Sequence, residues 1–119
     1  MIELADISLL LPASQYSMKT LERIQYQLAN GEFELSHHAF RRAVERNIRD
    51  IEIMEAGKTA KIIEEYPDDK YSPSYLLLGF TKEARPLHMQ VSCAETSLVK
   101  LITLYEPDPA EWLDSEIRR

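Results

Sequence analysis

The 119-residue chain holds one cysteine, Cys93. That excludes an intramolecular disulfide and any zinc site built on cysteines, and it fits a reducing compartment. A long apolar run is also missing. The apolar patch Leu9–Leu11 follows Glu3 and Asp6, has no basic start and is broken at Pro12. It reads as neither a signal peptide nor a membrane span, so no membrane partner is expected and the cytoplasm is the default location. There are no internal repeats and no low-complexity tracts, and the length is that of one ordinary domain. Positive charge is scarce as well. The formal net charge is −6, so the surface as a whole would repel nucleic acid.

A hydrophobic fraction of 45% is enough for a packed core and argues against disorder. The scarce positive charge is clustered. Residues 37–49 carry four basic side chains against one acidic, and residues 70–105 carry four against two, while the segments around them are acidic. If the two basic segments fold together, they make a local anion site on an acidic body.

Residues 1–16 read as a loosely attached tail with a short extended run at Ile7–Leu11, and residues 17–119 as one domain. Ser17 can cap a helix that reaches about Asn30 and stops at Gly31, with Leu21, Ile24 and Leu28 at helical spacing toward a core. Phe33–Leu35 is a brief extended piece. Ser36 can cap a helix from His37 to about Asn47, and Asp50 a short third helix ending at Ala56–Gly57. Four extended runs follow, at about 60–66, 75–81, 86–94 and 98–106, joined by short polar turns that favour antiparallel pairing. Residues 110–117 suit a last helical turn, with Trp112 anchoring it. The expected fold is α+β, with N-terminal helices packed on one face of a four-stranded antiparallel sheet. The other face could be open to solvent or a ligand.

In the third run Leu87, Met89, Val91 and Cys93 share one face and should meet the helices. His88 and Gln90 share the other and would lie on the open face. The fourth run gives no such answer. Lys100 places one alternate set on the open face and Tyr105 argues for the other set, so both assignments stand. In the second helix Ala39, Phe40, Ala43 and Val44 define an apolar face. His38, Arg42 and Arg46, spaced i, i+4, i+8, form one stripe largely away from it. His37 and Arg41 lie on another flank, where His37 should tolerate change. Adjacent histidines on a helix point about 100° apart and seldom bind one ion, so no metal site is expected from His37, His38 and His88. Asp68 and Asp69 suit a turn between Pro67 and Pro73.

The stretch Ser36-x-His38-Ala39-x-x-Arg42-x-x-Glu45-Arg46-Asn47-Ile48 resembles the start of a bacterial family called domain of unknown function 4258. So do IIEEYPDD (Ile62–Asp69), YLLLG (Tyr75–Gly79), RPLHMQV (Arg85–Val91) and ITLYEPDPAEW (Ile102–Trp112). Together they span about residues 33–112 in the family's order. The family usually has glycine just before the RPLH arginine. Here that residue is Ala84, which weakens any expectation of a positive φ at that turn.

The resemblance implies a fold like that of the RelE-type toxins and barnase-like ribonucleases, with a small antitoxin protein as partner. It also implies RNA as substrate and no cofactor. Metal-free RNA cleavage needs a base for the 2′-hydroxyl, an acid for the leaving 5′-oxygen and cations for the phosphorane. Imidazole and guanidinium suit those roles. The catalytic candidates are therefore His38, His88, Arg46 and Tyr105, and the substrate-binding candidates Arg42, Arg85 and Gln90. A non-catalytic protein- or RNA-binding module that uses the same stripe is the alternative. A further expectation is that Ile7–Leu11 pairs with a sheet edge, within one chain or in a homodimer.

Overall fold

The computed structural model describes residues 18–119. The extended run at Ile7–Leu11, the Ser17 cap and the edge pairing proposed for the tail lie outside the described residues. Three helices precede the sheet: α1 (Leu21–Ala29), α2 (His37–Arg46) and α3 (Asp50–Lys58). The strands are β1 (Phe33–Leu35), β2 (Lys61–Tyr66), β3 (Ser74–Phe80), β4 (Pro86–Ser92) and β5 (Val99–Tyr105), followed by the two-residue strands β6 (Trp112–Leu113) and β7 (Ile117–Arg118).

The helix ends follow from their capping residues. Thr20 Oγ1 accepts from the Arg23 amide, so α1 starts a few residues later than a Ser17 cap would place it. Ser36 Oγ accepts from the Ala39 amide at the start of α2, as expected, and its hydroxyl also donates to the Ile102 carbonyl on β5. Helix α2 ends at Asn47 in the left-handed region (φ 54°), a conformation asparagine tolerates. At the start of α3 the capping group is Glu52, which accepts from the Arg49 amide.

The main sheet is five-stranded and mixed, in the order β1-β5-β4-β3-β2. The four long strands pair antiparallel, as their short connections require. The expected four-stranded sheet is corrected by β1, which adds a fifth strand parallel to β5 through Phe33↔Val99 and Leu35↔Leu101. A three-residue piece carries too little pattern to declare itself a strand. It becomes one because α1 and α2 deliver it to the free edge of β5.

The core lies between the helices and one sheet face. Ile24, Leu28, Ile53 and Ala56 from the helices meet Leu77, Leu87, Met89, Val91 and Leu104 from the sheet. Helix α3 crosses β3 at Gly79, where a Cβ would fall 2.1 Å from the Ala56 carbonyl oxygen, so only glycine fits. Of the apolar face expected on α2, Ala39 and Ala43 are buried, whereas Phe40 and Val44 are 59% and 66% exposed. The helix packs against β5 through its two small residues.

The undecided facing of β5 has a physical cause. Gln90 pairs with Thr103 and Val91 with Leu101, which leaves Ile102 as an extra residue in a bulge. Val99 and Leu101 face the core before the bulge and Leu104 after it, so neither alternate set is inward throughout. Lys100 and Tyr105 therefore share the outer face.

That outer face is not open along its whole length. The stretch after Pro109 forms a β-hairpin, Leu113 pairing with Ile117, rather than a helical turn. Asp114 and Ser115 both take positive φ at its tip, and the Glu116 amide donates back to the Leu113 carbonyl. Trp112 is 3% exposed and does anchor the segment. The hairpin is clipped to β2 by ion pairs Arg118–Glu64 and Lys61–Glu116. No helix among the described residues is long and apolar enough to cross a membrane.

Candidate functional site

The stripe His38/Arg42/Arg46 on α2 runs beside the outer face of β5. Arg42 and Arg46 on α2 line a cleft of ≈480 Å³, with Thr103 and Tyr105 of β5 on its floor and Glu106, Asp108 and Glu111 from the segment that follows also lining it. His38 lines an adjoining cavity of ≈500 Å³ with Lys100 and Ile102. The helix stripe thus borders the sheet's outer face.

Arg42 makes only a long surface contact with Glu45, 3.8 Å away, and Arg46 has no ion pair among the described residues. Such a pair contributes little in water, so both guanidiniums are available to an anion. Arg85 is differently placed. It donates to Glu106 (2.8 Å), to both oxygens of Glu52 (3.1 and 3.2 Å) and to the carbonyls of Arg46 (2.8 Å) and Asn47 (3.1 Å). It ties the end of α2 to α3 and to the end of β5. Burial alone would raise the Glu52 carboxyl, yet the Arg49 amide and the Arg85 guanidinium outweigh it and hold its pKa below the usual range.

His88 departs from the expected open position. It is 0% exposed, because the terminal hairpin closes over it. Its ring lies edge-on to Trp112 at 4.4 Å and to Tyr105 at 5.2 Å. Nε2 is 2.5 Å from the Ser115 carbonyl and Nδ1 is 3.2 Å from the Tyr105 hydroxyl. A carbonyl oxygen only accepts, so Nε2 carries the proton. In the neutral ring Nδ1 then accepts from the Tyr105 O–H. Burial lowers the His88 pKa, against an upward pull from the Ser115 carbonyl and Glu64. Burial likewise raises the phenol pKa of Tyr105.

Gln90 lies on the outer face as expected, but its amide donates to Asp69 (3.2 Å) and to Ser74 (3.1 Å). Asp69 also accepts from Ser74 Oγ (2.7 Å) and from the Lys70 amide (2.8 Å). Gln90 thereby holds the loop between β2 and β3 against the sheet. Cys93 is buried with its thiol pushed up to about 11, which leaves it an inert core residue.

The structure therefore brings Arg42, Arg46 and Tyr105 together, with His88 directly behind Tyr105. It places His38 in the neighbouring cavity and gives Arg85 and Gln90 to the scaffold. The sequence reading gave no site role to His37, Tyr71 or Lys100, all of which line the cavity with His38. Lys100 had a signal, its charge within an apolar strand. Tyr71 had none, because a loop carries no periodicity.

Neither the curated proteins nor the solved structures searched contain a match to this chain. The family model for the domain of unknown function DUF4258 matches residues 35–106, from the end of β1 to the residue after β5, and the chain belongs to that family.

Proposed function

We propose that this chain is a metal-independent endoribonuclease acting in the cleft between α2 and β5, with a RelE-like arrangement of helices on a curved sheet. The observation that carries this reading is the hydrogen bond from Tyr105, on the cleft floor beneath Arg42 and Arg46, to the buried imidazole of His88. Arg42 and Arg46 hold the scissile phosphate and neutralise charge that grows on its oxygens. Tyr105 oxygen accepts the 2′-hydroxyl proton while its own proton passes to His88 Nδ1. The imidazolium so formed keeps its Nε2 proton on the Ser115 carbonyl and lies in the field of Glu64. The 2′-oxygen attacks phosphorus and the bond to the 5′-oxygen breaks. His38, one helical turn before Arg42, supplies the proton to the leaving oxygen. His88 acts through Tyr105 and touches no substrate. In the cell the activity would be that of a toxin checked by a small antitoxin protein.

A second reading is favoured by the closure of His88. With no solvent path to the ring, the same stripe would serve a non-catalytic module that binds RNA or a partner protein. Induced expression separates the two. The enzymatic reading expects growth arrest that Arg46→Ala or Tyr105→Phe relieves. Unimpaired growth at high expression, with a partner retained through Arg42, supports the module.

A further inference from the structure

The cleft holds both signs of charge. Asp108 and Glu111, from the segment after β5, line it together with Arg42 and Arg46, so a polyanion leaving the cleft is repelled on the side of that segment. From Arg46, one and two turns back along α2, come Arg42 and His38, and His38 opens on the cavity of ≈500 Å³ that His37, Asp69, Tyr71, Lys100 and Ile102 also line. From Arg46 back to His38 is roughly 12 Å at 1.5 Å per residue, a span that suits neighbouring nucleotides.

The cavity itself differs from a phosphate site. Its walls expose mostly carbon, with polar groups from residues such as Ser36, Asp69, Ser92 and Lys100 among them. Its size falls within the range of small-ligand pockets. Tyr71 is 89% exposed, so its ring is not held there by burial. The loop that carries it is nevertheless fixed, since Asp69 is bonded to Ser74 and Gln90. The Lys70 ammonium lies 5.3 Å from the Tyr71 ring centre, adding positive charge at the rim. A solvent-facing aromatic ring on a tethered loop, beside cationic side chains, is the combination by which single-stranded nucleic acid is held: phosphates on the cations, a splayed base on the ring.

We infer that this cavity is a nucleobase site, which takes one unstacked base of single-stranded RNA against Tyr71 while the adjoining phosphates lie on Arg42 and Arg46. The inference rests on the reading of the cleft as an RNA site. It adds that the domain engages single strands and that a base, not only the backbone, is bound.

The test measures binding of the full chain to three fluorescent probes. These are a short 2′-O-methyl RNA that cannot be cleaved, the same strand with abasic positions, and a duplex. The base site predicts that the base-bearing strand binds roughly ten-fold or more tighter than the abasic strand, and that the duplex binds weakly. Tyr71→Ala should erase the difference between the two strands, Tyr71→Trp should keep it, and Arg42→Ala should weaken both. Equal binding of the two strands, or a difference that survives Tyr71→Ala, overturns the base site and leaves the RNA reading standing. Failure to bind any probe overturns the RNA reading and the base site with it.

Discussion

In its neutral form His88 donates from Nε2 to the Ser115 carbonyl and accepts at Nδ1 from the Tyr105 hydroxyl. Protonating it inside the fold requires a charge under Trp112 with no water to solvate it, which is why burial drives its pKa down. Above about pH 6.5 the ring is neutral in both folded and unfolded chains. Below that, the unfolded chain binds a proton more readily than the folded one, so stability is lost as the pH falls. Glu52 and Glu64 have pKa values held below 4.5, so their contributions are present above that range and fade only in stronger acid. The thermal midpoint of the wild type should therefore drop between pH 6.5 and 5, and a His88→Gln variant should show a shallower drop over the same interval. Equal slopes would mean the ring titrates freely.

Ala84 carries a second residue-level consequence. It sits at φ +64° in the turn between β3 and β4, closed by the Ala84 amide on the Thr81 carbonyl. The turn does require a positive φ, against the expectation drawn from alanine at that position. An L side chain there costs roughly 1–2 kcal/mol, partly offset in the comparison by glycine's greater freedom when unfolded. Ala84→Gly should raise stability by up to about 1 kcal/mol, read from urea unfolding.

At the level of elements, the sheet and its helices were legible where period and caps agree. Leu87, Met89, Val91 and Cys93 alternate without interruption and all face the core. Ser36 announced α2. What was not legible came from non-local causes. The bulge at Ile102 shifts the period within β5, and only the pairing with β4 reveals it. The hairpin at the C-terminus depends on Asp114 and Ser115 accepting positive φ and on clasps to distant Glu64 and Lys61. His88 looked solvent-facing because alternation reports which face a residue takes and says nothing of what later covers that face.

Arg85 illustrates the same limit. Its charge suggested phosphate, yet it is the junction of α2, α3 and β5. Arg85→Ala should cost about 2–3 kcal/mol, because it leaves Glu52 buried without its guanidinium and the last carbonyls of α2 without donors. Arg85→Lys should recover only part of that, since an ammonium cannot span the same acceptors. The midpoint of denaturant unfolding measures both. A fully stable Arg85→Ala protein that had lost only RNA affinity would return Arg85 to the substrate.

At the scale of the molecule, among the described residues of an acidic chain, the cationic side chains Arg42 and Arg46 border the outer sheet face. The N-terminal helices bury the inner face, and the terminal hairpin seals the His88 end of the outer one. What remains accessible is a strip from Tyr105 and Arg46 to His38 and Tyr71. The most direct test of the account is cleavage of a short single-stranded RNA by the purified full chain in the presence of a metal chelator. The comparison substrate carries a single 2′-deoxy sugar at the mapped cleavage site. The account predicts cleavage that leaves a 2′,3′-cyclic phosphate, is abolished by the 2′-deoxy sugar and falls at least about 100-fold in folded Tyr105→Phe, the lower end of what a positioned acid–base group contributes. Absence of cleavage by the wild-type chain, or cleavage that Tyr105→Phe leaves unchanged, would contradict it.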